Sequence, residues 1–140
     1  MDIASPAFEI TIAVEPGDID ALGHVNNVAY LRWVQDVAVA HWLAAAAAAD
    51  QAGLFWVVVR HEIDYRYPAY LGDSIIARTW VGTATRVRFE RHTELLRAGD
   101  RLLLAKARTL WCPIDAATGK PASVSPDVRA RFSVPDAGTD

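Results

Sequence analysis

From Asn26 to about Asp50 the chain carries neither proline nor glycine, and after Gly53 the spacing of its apolar residues changes for good. That single switch, from a helical period to a period of two, admits few folds. In the first stretch Val28, Leu31, Val34 or Gln35, Ala38, Trp42 and Ala45 recur at helical spacing, which predicts a helix of about six to seven turns. Asn26 or Asn27 would cap it and Gly53 would stop it. Trp33, Val37 and Ala40 widen the apolar stripe, so this helix should be enclosed on several sides. The run "AAAAAAD" near its end is good helix material without chemistry. Before the helix, "FEITIAV" sets Phe8, Ile10, Ile12 and Val14 at period two, a half-buried strand that ends at Pro16 and Gly17. After it, "LFWVVVRHEIDYRYPAY" alternates Phe55, Val57, Val59, His61, Ile63, Tyr65 and Tyr67 on one face until Pro68. "SIIARTWVG", "RVRFERHTELL" and "RLLLAKARTLWCPID" read as three more strands, joined through Gly82 to Thr85 and "RAGD" by hairpins. Short hairpins make antiparallel neighbours, and one buried helix needs a curved sheet around it. The expected class is α+β, an antiparallel five-stranded sheet wrapped around a long central helix. Residues 1–140 should form one domain, with no repeat and no linker, and with a short helix near Pro126 to Phe132.

Composition narrows the function. With 140 residues, 52% of them hydrophobic, the chain can bury a self-sufficient core. A net charge of -3 and 14 scattered basic residues without a basic run argue against a nucleic-acid binder. One cysteine, Cys112, excludes a disulfide framework, and four dispersed histidines without a CxxC exclude the common zinc patterns, so no metal is expected. Residues 1–20 hold several acids and no basic side chain, unlike a targeting peptide, and "WLAAAAAA" is too short to span a bilayer. These features predict a cytoplasmic protein with no membrane partner.

The polar residues gather in "GDIDALGHVNN", residues 17–27. Gly, Asp and Asn there serve as turn formers and helix caps, or they form a site. Asp18 reads as turn structure. Asp20 reads either as a cap or as a reactive carboxylate. His24 can orient the loop or transfer a proton. His41 and His61 occupy apolar positions and read as satisfied core or interface histidines. No GxSxG elbow is present, and Cys112, next to Pro113 at a strand end, lacks the setting of a nucleophile.

"DIDALGHVNNVAYLRWVQD" (18–36), "IDYRYPAYLGD" (63–73) and "DAATGKPASVSPDV" (115–128), in that order, resemble the hotdog-fold acyl-CoA thioesterases of the 4-hydroxybenzoyl-CoA thioesterase type. The resemblance runs over nearly the whole chain. It implies a hotdog domain that joins sheet edges into a homodimer, or a homotetramer as a dimer of dimers, and hydrolyses a coenzyme A thioester without a cofactor. Asp20 falls at the family's catalytic carboxylate, Asn27 at the helix start whose N–H holds the thioester oxygen, and His24 at the histidine of one branch.

The chemistry agrees with those positions. Thioester hydrolysis needs a group that directs water or attacks directly, and donors that stabilise the oxyanion. Asp20 supplies the first as general base or nucleophile. A helix beginning at Asn26 or Asn27 supplies the second through unsatisfied N–H groups and its dipole. Arg86, Arg88 and Arg91, with Lys106 and Arg108, are candidates for the phosphates of coenzyme A, or else the solvated face of a strand. Trp56, Tyr65, Tyr67, Trp80 and Trp111 either line an acyl pocket or pack the core. Two other functions suit the same fold. A hydratase or dehydratase would carry an aspartate and a histidine five apart with Asn-Pro between, where this chain has "DALGH". A non-catalytic acyl-CoA binding module would have no need of Asp20.

Overall fold

β1 (Phe8–Ala13) is followed by a 3-10 turn at Pro16–Asp18, and then by α1 (Asn27–Ala45), α2 (Ala48–Gly53) and β2 (Leu54–Tyr65). β3 (Ser74–Ala84), β4 (Phe89–Arg97), β5 (Leu103–Asp115) and α3 (Pro126–Arg131) complete the chain. The computed structural model describes residues 7–132 and 134. The five strands form one sheet in the order β1-β3-β4-β5-β2, every neighbour antiparallel. α1 lies in its concave face, which is the hotdog arrangement.

The helix is shorter than its sequence suggests. α1 stops at Ala45, Ala46 turns to extended backbone at φ -82 and ψ 147, and the chain restarts as the separate α2. Alanine propensity is outweighed locally by Gln51, whose Nε2 donates to the carbonyls of Leu43 and Ala46 and so satisfies two groups that a helix end leaves bare. The buried face is also rotated from the expected one. Ala29, Tyr30, Trp33, Val34, Val37 and Ala38 face the sheet, whereas Val28 is 73% exposed. The spacing of Val28 and Leu31 mimicked an apolar stripe, but the tyrosine at Tyr30 and the alanine at Ala29 belong to the true one.

β2 contains a second correction. Its apparent seven-residue alternation is broken by a register shift between Val58 and Arg60 against β5. The bulge inserts one residue, so Phe55, Val57 and Val59 point away from the helix while His61 and Ile63 point toward it, with Trp56 and Val58. The next hairpin also differs: β4 starts at Phe89, leaving Arg86 and Arg88 in the connecting turn. Gly82, near that turn, lies close to the His92 ring: a Cβ there would come within 2.8 Å of His92 Nε2, so the ring would have to shift to admit one.

Two apolar clusters fill the space under the sheet. One, around the first half of α1, joins Trp33, Val34 and Val37 to Ile75, Leu95 and Leu104. The other, around its second half, joins Ala38 to Phe89, Trp111, Val128 and Phe132. Fully burying each such aliphatic side chain stabilises the fold by about 1.5–3 kcal/mol. Between the clusters runs a polar belt. Thr79 donates to the His92 carbonyl at 2.7 Å and accepts from Thr93 and Arg91, each at 3.2 Å. α3 closes the second end, with Arg129 donating to the carbonyls of Ala84 and Thr85. Ser125 caps α3 by accepting from Val128 N–H.

Candidate active site

The stretch between the 3-10 turn and α1 is a small closed loop. Ile19 and Val25 pair across it, Asp20 N–H donates to the His24 carbonyl at 2.9 Å, and Gly23 N–H donates to the Asp20 carbonyl at 3.1 Å. Gly23 sits at φ +86, where a side chain would be strained, so glycine is what lets the loop turn this tightly. Asp20 Oδ1 accepts from Leu22 N–H at 2.8 Å, an Asx turn that fixes the carboxylate. His24 Nδ1 lies 3.8 Å from Asp20 Oδ1, beyond a hydrogen bond, and 3.3 Å from the Val25 carbonyl. The two side chains are 30% and 32% exposed, side by side at the surface.

Beneath the loop is its brace. Asp18 is 4% exposed, accepts from Glu15 N–H at 2.9 Å and pairs with Arg32 at 2.6 Å. Burial works against its ionisation, but the Glu15 N–H and the Arg32 guanidinium outweigh it and hold the carboxyl below its ordinary range. Asp18 is therefore structural, as its position in the turn suggested. Sequence reasoning missed Arg32, although a signal for it exists. It is the one arginine or lysine in α1, and it follows closely on a loop that carries two aspartates.

Asn26, rather than Asn27, is the cap: its Oδ1 accepts from Ala29 N–H at 3.0 Å and its Nδ2 donates to the Asp18 carbonyl at 3.2 Å. This places Asn27 and Val28 in the first turn, both exposed, where helix N–H groups have no intrahelical acceptor. Tyr65 Oη donates to the Asn27 carbonyl at 3.1 Å and anchors the helix start to the end of β2. Tyr30 Oη accepts from Ala69 N–H at 2.9 Å, and Val25 N–H donates to the Ala69 carbonyl at 2.8 Å, which ties the loop to the segment after β2. Around the rim stand the exposed Leu22, Val28, Tyr67, Tyr70 and Leu71.

The other predicted residues lie elsewhere. Arg86 and Arg88 are exposed in the β3–β4 turn, at the opposite end of the sheet from Asp20; Arg86 reaches Ser123 Oγ at 3.3 Å. Arg91 is no surface residue: it is 8% exposed and bonds His41 and Thr79 in the core, because the strand begins at Phe89 and its odd-numbered positions face inward. Arg108 pairs with Glu62 and Glu90 on the outer face of the sheet. The five aromatic candidates also separate. Tyr65 is at the helix start, Tyr67 is exposed on the rim, Trp80 stacks on His92 outside the sheet, and Trp56 and Trp111 line a cavity at the far end of α1. His61 donates or accepts with Thr109 Oγ1 at 2.9 Å, and Cys112 is buried. Among the described residues no group of three His, Cys, Asp or Glu side chains could hold a metal ion, and no helix is long and apolar enough to cross a membrane.

Comparison with curated protein sequences finds no match. Solved structures are similar over nearly the whole fold. A 1,4-dihydroxy-2-naphthoyl-CoA thioesterase from Synechocystis superposes with a TM-score of 0.79 at 21% identity, covering 91% of this chain and 96% of its own. A thioesterase from Thermus thermophilus, solved with coenzyme A and zinc, gives 0.78 at 23% identity, covering 91% of each chain. A Staphylococcus aureus protein solved with CoA gives 0.81 at 14% identity, covering 95% of this chain and 85% of its own. At these identities the likeness is one of fold. The sequence itself matches the family model of the thioesterase-like superfamily over residues 14–132, and the chain belongs to that family.

Proposed function

We propose that this thioester hydrolase cleaves an acyl-CoA, with Asp20 as the acting carboxylate and the first N–H groups of α1 as oxyanion donors. The observation that carries the proposal is the placement of both parts on one short loop. The Asx turn fixes Asp20 at 30% exposure while the Asn26 cap ends the same loop at the start of the helix. As general base, Asp20 takes a proton from water as the water oxygen bonds to the carbonyl carbon. The carbonyl electron pair moves to oxygen, which the N–H groups and the positive end of the helix dipole stabilise. Collapse restores the carbonyl, breaks the C–S bond and releases the CoA thiolate, and the proton passes from Asp20 to bulk water or to the thiolate. As nucleophile, Asp20 would instead form an anhydride that water opens. His24, beside Asp20, would orient it or relay the proton.

A second copy would complete the site. β2 is a twelve-residue edge strand bearing exposed Phe55, Val57 and Val59, and an edge of that length and character calls for cover. Two β2 strands joined antiparallel would set the Leu54 end of one beside the Tyr65 end of the other. Arg86 and Arg88, near the Leu54 end, would then approach the partner's loop, where they are proposed to take the phosphates of coenzyme A.

Release of thiol from a panel of aromatic, short and long acyl-CoAs tests the reading, with Asp20→Asn as the comparison. The variant keeps the shape and the turn bond but loses the charge, so kcat should fall by about 10²-fold or more. No hydrolysis of any acyl-CoA, or a folded Asp20→Asn chain with unchanged kcat, would overturn it.

A further inference from the structure

At the far end of α1 from Asp20 the structure contains a cavity of about 260 Å³. Its walls are Trp42, Trp56, Phe89, Trp111 and Phe132, and one charged side chain, Arg91, reaches it. Along the helix this is about 16 Å or more from Asn27, at 1.5 Å per residue to Ala38, so within one chain it is a separate place.

Arg91 is 8% exposed, and its Nη1 donates to His41 Nδ1 at 2.9 Å and to Thr79 Oγ1 at 3.2 Å. Neither acceptor carries charge. Burial, and then the neighbouring Arg91, lower the His41 pKa to about 4, so the ring is neutral at pH 7 and accepts at Nδ1. Among the described residues no carboxylate pairs with Arg91, and burial alone lowers its pKa to about 10, which still leaves it cationic. A buried cation that only neutral groups contact is costly, and proteins seldom keep one without an anion. The indole N–H groups of Trp56 and Trp111 are buried and meet no acceptor among the described residues. The cavity thus supplies one positive charge among apolar walls.

We propose that this cavity binds an aromatic or alkyl monocarboxylate, its apolar body among the tryptophans and phenylalanines and its carboxylate on Arg91. Each part of such a molecule answers one unmet feature. A neutral ligand would leave the guanidinium uncompensated, and a phosphate dianion would bring more charge than the one cation neutralises into apolar walls. The volume suits one or two rings, since an apolar cavity of about 150 Å³ already holds benzene. The proposal does not need the thioesterase reading, because binding is measured without turnover, although in the dimer proposed above the Leu54 end of β2, and with it this cavity, would lie beside the partner's loop.

The probe is 1-naphthoate, ionised at pH 7, against 1-naphthalenemethanol, its neutral counterpart, by calorimetry and by the indole N–H signals of Trp56 and Trp111. The intact chain should bind the acid about tenfold or more tightly than the alcohol, the scale of one charge-assisted contact. Arg91→Met should weaken the acid about tenfold while leaving the alcohol nearly unchanged, and Phe132→Trp, which fills the cavity, should weaken both. Asp20→Asn should bind naphthoate as the wild type does. Equal affinity for acid and alcohol in the wild type, no naphthoate binding at millimolar concentration, or an undiminished preference in folded Arg91→Met would each overturn the proposal. The wild-type comparison decides even if Arg91→Met does not fold.

Discussion

The two ends of α1 handle charge in opposite ways. At the start, the buried carboxylate of Asp18 is neutralised within the chain by Arg32, and Asp20 is left beside it at the surface with one oxygen held by a backbone N–H. At the far end, the buried charge is Arg91, and its contacts are a neutral histidine and a threonine. A charge compensated inside the fold gives a rigid platform, whereas one left uncompensated gives an affinity for something from outside. The first end is thereby suited to hold its polar loop still, and the second to receive a ligand.

Breaking the compensated end should have the largest effect. Asp18→Asn removes the ion pair and leaves Arg32 unpaired over the loop, so stability should fall by about 1–3 kcal/mol in denaturant titration. Turnover should fall with it by roughly tenfold, since misplacing a catalytic group by about 1 Å can cost up to 10²-fold. The pH dependence has a definite sign. The folded pKa of Asp18 is lowered from 3.8, so its stabilisation is present above that value and is lost as pH falls through the lower, folded value. Asp18→Asn should therefore show a shallower loss of stability below about pH 4.

At the uncompensated end the titrating group is His41. Its folded pKa of about 4 lies below 6.5, so the unfolded chain binds a proton that the folded chain refuses between those values. Stability from this group is full above pH 6.5 and declines on acidification toward 4. His41→Gln keeps an acceptor for Arg91 and cannot titrate. The wild type should lose about 4 °C or more of Tm between pH 7 and 5, and the variant less. An unchanged slope would mean that the two ends do not differ as described.

Two smaller effects sharpen the contrast. Arg86→Ala and Arg88→Ala, at the far end, should each raise KM for an acyl-CoA by about two- to fivefold with kcat nearly intact, because exposed phosphate contacts bind ground and transition states alike. Equal KM values for a pantetheine thioester and its CoA counterpart would remove that role. Tyr65→Phe, at the helix start, loses only the bond to the Asn27 carbonyl. It should cost about 1 kcal/mol or less and lower kcat less than threefold.

Much of this architecture was legible beforehand, and its errors are informative. The order of elements followed from Pro, Gly and the change of period, and the short α3 appeared where Pro126 begins it. The end of α1 did not follow, since six consecutive alanines carry no local stop and the break depends on Gln51 folding back. The face of β2 did not follow either, because a bulge at Val59 arises from pairing with β5. The loop "GDIDALGHVNN" stood out as a candidate site because polar residues crowded there against an apolar background, although only the geometry distinguished Asn26 as the cap from Asn27 as the first helical residue.

The amino-acid sequence by itself determined the strand-helix-strand order, the antiparallel sheet around one helix and the position of the polar loop before that helix. Those depend on local backbone preferences and on apolar period, which neighbouring residues express without help from the rest of the chain. Tertiary structure alone decided that Asp18 has Arg32 while Arg91 meets no acid among the described residues. In a sequence all arginines look alike, and "RFERH" reads as a solvated strand face with Glu90 beside Arg91. Once the strand is placed, alternation sends Glu90 outward to Arg108 and Arg91 inward to His41, and that assignment exists only when the sheet has two faces.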